Sequence, residues 1–77
     1  MHICVWCESD QELLGVERIT KIEIERTEGN CDAELSLKVH NKLAGKEYFT
    51  DEDDWRDLIK QDIVKEVGCN IADVEII

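Results

Sequence analysis

Ile19–His40, ITKIEIERTEGNCDAELSLKVH, is the stretch that decides how the chain is organised. Its first part alternates strictly, Ile22 and Ile24 against Lys21, Glu23 and Glu25. A period of two is that of a strand with one buried and one wet face, so residues 19–26 read as a half-buried β-strand. Thr27-Glu28-Gly29-Asn30 follows, and both Gly29 and Asn30 tolerate the positive φ of a tight turn. Beyond it Ala33, Leu35, Leu37 and Val39 alternate with Glu34, Ser36, Lys38 and His40. Two alternating runs joined by turn residues predict an antiparallel hairpin with one face to solvent.

Toward the N-terminus, His2–Cys7 (HICVWC) is rich in β-formers and reads as a short strand, Ile3 and Val5 on one face, Cys4 and Trp6 on the other. Ser9-Asp10-Gln11-Glu12 has the pattern of a capping box ahead of Leu13 and Leu14, which predicts a helical turn cut short by Gly15. Toward the C-terminus, Asn41–Gly45 reads as a second turn and Lys46–Phe49 as a further strand. Thr50 is then expected to cap a helix whose first turn holds Asp51, Glu52, Asp53 and Asp54. Trp55, Ile59, Ile63 and Val67 recur every four residues with Leu58 beside them, an apolar stripe that ends at Gly68. Ile71–Ile77 alternates again, Val74 and Ile76 against Asp73 and Glu75, and predicts a last strand. The fold class expected is α+β: a small, mostly antiparallel sheet of four to five strands with one main helix packed on one face, in the order β-(short α)-β-β-β-α-β.

A chain of 77 residues has room for one core, so residues 1–77 are expected to form a single domain. The composition, 43% hydrophobic and 36% charged, is globular rather than disordered, and four glycines with no proline leave nothing that reads as a linker. Nine Lys and Arg against nineteen Asp and Glu give a formal charge of −10. Such a domain is repelled by phosphate backbones and anionic lipid, which excludes direct nucleic-acid and membrane binding and favours basic protein surfaces as partners. Solubility alone is the competing explanation for the charge. Nothing resembling a secretory leader or a bilayer-spanning run of ~18 apolar residues is visible, so a cytoplasmic protein with reduced thiols is expected.

Cys4-Val5-Trp6-Cys7 is the sharpest local motif. Two thiolates at C-x-x-C spacing can grip zinc from a tight knuckle, with two more ligands to come from among Cys31, Cys69, His2 and His40. If residues 2–7 stay extended, however, Cys4 and Cys7 face opposite sides and cannot share an ion. Redox use of the pair needs a helix start after a strand, which the position of the motif does not offer. An EF-hand loop beginning at Asp51 fails, because Trp55 and Arg56 occupy its fifth and sixth positions. His2 and His40 have no nucleophile or carboxylate tied to them by spacing, so no enzyme and no cofactor is expected. Trp55 belongs to the helix stripe and thus to the core. Trp6 falls on the face away from Ile3 and Val5, where it would suit an interface or, equally, a second core face.

What remains is charge. Asp51, Glu52, Asp53, Asp54 and Asp57 exceed what a helix dipole can use, since adjacent like charges repel. Together with Glu23, Glu25 and Glu34 on the wet face of the sheet, they are the partner-binding residues expected of an acidic interaction module. In net charge and size alone the chain resembles the small acidic inhibitors that phages encode against host defence nucleases, anti-CRISPR proteins among them. That likeness, carried by no motif, implies carboxylates standing in for phosphates in a nucleic-acid-binding groove. The alternatives are a small zinc domain organised by Cys4 and Cys7, with Cys31 and Cys69, and an acidic subunit of a larger assembly. Either a monomer or a homodimer by sheet extension fits, although like charges oppose the latter.

Overall fold

The computed structural model describes all residues from Met1 to Ile77. The expected alternation at the N-terminus builds a long hairpin, β1 (His2–Ser9) against β2 (Val16–Thr27). Its register places Ile3 opposite Ile24 and Val5 opposite Ile22, all buried, with Cys4 opposite Glu23 and Trp6 opposite Lys21 on the outer face. The register shifts between Trp6 and Cys7, where β2 carries the extra residue Thr20, so that Cys7 meets Ile19 on the inner face.

The turn at Thr27–Asn30 forms as expected, with Gly29 at φ 83°, but the strand after it, β3 (Asn30–Cys31), lasts two residues. Residues 33–40, read above as a strand, belong to a helix, α1 (Ala33–Leu43). Asp32 starts it: its carboxylate accepts the Leu35 N–H at 3.0 Å and the Arg26 Nε–H at 2.7 Å. Once the chain is helical, Leu35, Val39 and Leu43 come at four-residue spacing onto one face, and the two-residue alternation loses its meaning. The helix nevertheless runs where the strand was expected, along the outer edge of β2. The Ser36 hydroxyl accepts the Ile24 N–H at 2.9 Å, and His40 Nε2–H donates to the Thr20 carbonyl at 3.1 Å. These two side chains satisfy main-chain groups that a neighbouring strand would otherwise pair. His40, expected to be solvated, is therefore structural, and Glu34 lies in the first turn of α1 rather than on a sheet face.

β4 (Tyr48–Phe49) pairs with the start of β2, Val16 opposite Phe49 and Glu17 opposite Tyr48. The second helix, α2 (Trp55–Val67), carries the expected stripe, with Ile59 and Ile63 fully buried and Trp55, Leu58 and Val67 packed against the core. It stops at Gly68, whose φ of 80° only glycine adopts without strain. A 3₁₀ turn (Ile71–Asp73) leads into β5 (Val74–Ile76), which lies parallel to β1 with Val74 opposite Ile3. The sheet order is β3-β2-β1-β5, with β4 on β2, and its one parallel contact leaves it mostly antiparallel. The molecule is thus a small α+β domain, a five-stranded sheet with two helices packed on one face. Eleven buried residues, among them Ile3, Ile24, Ile59 and Ile63, form the core, each contributing about 1.5–3 kcal/mol by burial. No helix is long and apolar enough to cross a membrane.

Candidate functional site

The link from β1 to β2 is a turn, not the helical turn expected from Ser9–Glu12. Asp10 organises it: its carboxylate accepts the N–H of Glu12 at 2.8 Å and of Leu13 at 3.2 Å, and the Arg18 Nε–H at 3.0 Å. The two backbone donors and Arg18 hold the carboxyl of Asp10 below its usual range. The result is a hydrogen-bonded tip that projects Leu14, which is 99% exposed, with Leu13 also accessible beside it.

The acidic run is tied to this tip. The Thr50 N–H donates to the Gly15 carbonyl at 2.8 Å, so the chain leaving β4 passes directly beside the β1–β2 turn. Residues 50–54 then form successive turns, and the helix cap is Asp54 rather than Thr50, with no side-chain hydrogen bond from the cap. Thr50 is held by its contact with the β1–β2 turn, and four turn residues separate it from the first residue of the helix. Asp51, Glu52 and Asp53 lie outside the helix and Asp54 is its cap, so none of the four acidic residues expected in the first turn is there; Asp57 occupies it instead.

Seven ion pairs tie the surface together, and their distribution is uneven. Arg18 holds Asp10 and Glu47, Lys21 holds Glu23, Arg26 holds Asp32, Lys42 holds Glu66, Lys46 holds Asp62, and His2 meets Glu75. Asp51, Glu52, Asp53, Asp54 and Asp57 take part in none of them and all are exposed. Arg56, the one basic residue within that segment, lies 4.3 Å from the Trp55 ring centre. Of the eight carboxylates expected to act together, these five are neighbours. Glu23 and Glu25 are not among them: they sit on the outer sheet face opposite Cys4 and His2, and eight residues of strand, about 26 Å, separate Glu17 from Glu25. Sequence reading placed Leu13 and Leu14 only as the residues after a capping pattern and did not single them out as surface groups. Two adjacent leucines between charged residues and Gly15 were the available signal.

The cysteines do not converge. Cys7 packs against the core, and burial, reinforced by Glu17 against a smaller pull from Arg56, pushes its thiol up to about 11. Cys4 lies on the outer face, where desolvation and then Glu75, Glu23 and Glu25 raise it as well. Residues 2–7 are extended, so the pair is split across the sheet as the period of two requires. Cys31 is exposed in β3, and Cys69 follows α2. Trp6 is half-buried on the outer face with Lys21 Nζ 4.8 Å from its ring centre. No protein-family model, no curated protein and no solved structure matches the chain.

Proposed function

We propose that this chain is a non-enzymatic protein-interaction module whose acidic end, the β1–β2 tip together with residues 50–57, docks on a basic surface of a partner protein. The observation that carries this reading is the set of five neighbouring carboxylates without a lysine or arginine partner, beside an almost fully exposed Leu14. Folding gains nothing from crowding unpaired negative charge onto one end, and mutual repulsion there costs stability. A basic partner converts that cost into attraction, and a projecting leucine supplies the desolvated anchor that fixes docking in one position. In its narrowest form the module occupies a nucleic-acid-binding groove, the carboxylates taking the places of phosphates, as an inhibitor of a cytoplasmic nucleic-acid-binding protein.

The test is capture from native lysate on the immobilised full chain, run in parallel with D53K/D54K and Leu14→Ser. The reading predicts a basic protein retained at low salt, released by high salt or by added duplex DNA, and lost from the charge-reversed surface. Retention of the same proteins by wild type and D53K/D54K, the variant being folded by circular dichroism, would remove residues 50–57 from the interface.

A further inference from the structure

The outer face of the sheet brings together a second group of polar side chains, remote from the acidic end. His2 and Cys4 are two residues apart on β1 and so point the same way. β5 runs parallel to β1 with Glu75 directly opposite Cys4. The consequence is that His2 Nε2 stands 3.1 Å from Glu75 Oε2 and 3.8 Å from Cys4 Sγ, and the three donor atoms all lie within 4.8 Å of one another. A tetrahedral zinc ion with bonds of 2.0–2.3 Å sets its ligand atoms roughly 3.3–3.6 Å apart, so the observed spacings bracket the required ones. Small rotations of the two exposed side chains, His2 and Glu75, close the difference, while the strand register holds the three backbones in place.

We propose that His2, Cys4 and Glu75 form a zinc site on this face, with the fourth position open to water. One nitrogen, one thiolate sulfur and one carboxylate oxygen are the mixed donor set that zinc accepts, whereas magnesium and calcium take oxygen alone. On binding, the Cys4 S–H bond is exchanged for an S–Zn bond and the proton leaves to solvent. Across the strand pair Glu25, opposite His2, adds negative potential that draws a dication, while Glu23, opposite Cys4, is paired with Lys21. The site differs from a knuckle built on Cys4 and Cys7: it uses one thiol of the motif and recruits Glu75, 73 residues along the chain from His2. An ion there pins the first strand to the last, which links metal binding to folding.

Cobalt(II) reports such a site directly. Titration of the reduced full chain with Co²⁺ alone is expected to saturate at one ion per chain, with a thiolate-to-cobalt charge-transfer band that Zn²⁺ then abolishes. Cys4→Ser should lose the band. His2→Ala and Glu75→Gln, both at exposed positions, should bind at least as much more weakly as the roughly 10–100-fold that loss of a supporting partner costs. Cys31→Ser should bind as wild type. Zinc should raise the melting temperature of the wild type, and at the same concentration raise that of His2→Ala by less. Absence of the band in the wild type, its persistence in Cys4→Ser, its loss in Cys31→Ser, or unchanged affinity in His2→Ala or Glu75→Gln would each overturn the assignment.

Discussion

Ser36 occupies a place on α1 where an aliphatic side chain would complete the stripe of Leu35, Val39 and Leu43, yet it is buried. Its hydroxyl accepts the Ile24 N–H from the edge of β2 and donates to the Asp32 carbonyl at 2.6 Å, joining the sheet to the helix cap. Ser36→Ala leaves a buried N–H without an acceptor and is expected to lower stability by about 1–3 kcal/mol. Denaturant melts measure this as a lower midpoint at an unchanged slope; an unshifted midpoint would mean that water replaces the hydroxyl. The same residue shows why part of the core was illegible. Ile3, Val5, Ile22 and Ile24 announce themselves by alternation, and Ile59 and Ile63 by their four-residue spacing. Buried Ser36 and half-buried His40 are held by single hydrogen bonds to the backbone of β2, which no hydrophobic pattern records.

At the scale of elements, the segment 33–43 satisfies two periods at once. Ala33, Leu35, Leu37 and Val39 alternate, while Leu35, Val39 and Leu43 repeat every four. The choice is made by Asp32, which caps the helix and is held by Arg26, and the cost is visible in Leu37, left exposed by the helix. The class and the mostly antiparallel sheet were legible because either conformation of this segment covers the same edge of β2. The helix cap was misplaced by four residues, Thr50 for Asp54, for a related reason: the Thr50 N–H is bound to the Gly15 carbonyl, a long-range contact that local capping rules do not contain. The cap also makes a pH prediction. The Leu35 N–H and then Arg26 lower the Asp32 carboxyl from its ordinary value of 3.8, so its contribution is fully present above that value and is lost as pH falls through the depressed one. Asp32→Ala should therefore be less stable than wild type at pH 7, with the gap closing near pH 2, as denaturant melts at the two pH values will read. A gap that stays constant would place the effect in helix propensity alone.

Over the whole molecule, the five carboxylates of residues 51–57 stand out as neighbours in the chain without a lysine or arginine partner. Five of the nine basic residues are spent in ion pairs along the sheet and between the helices, and none reaches the five carboxylates of residues 51–57. In a molecule whose longest extent is 37 Å, the strand length between Glu17 and Glu25 separates that acidic end from the His2, Cys4 and Glu75 cluster. The two surfaces can be altered one at a time, which makes the docking claim testable in isolation. The direct measurement is the association rate constant for the captured basic partner as a function of salt, for wild type and for D53K/D54K. Electrostatic docking through the acidic end predicts a fast wild-type rate that falls steeply as salt rises, and a slower variant with a shallower dependence. Equal rates with equal salt dependence in the two proteins would contradict it.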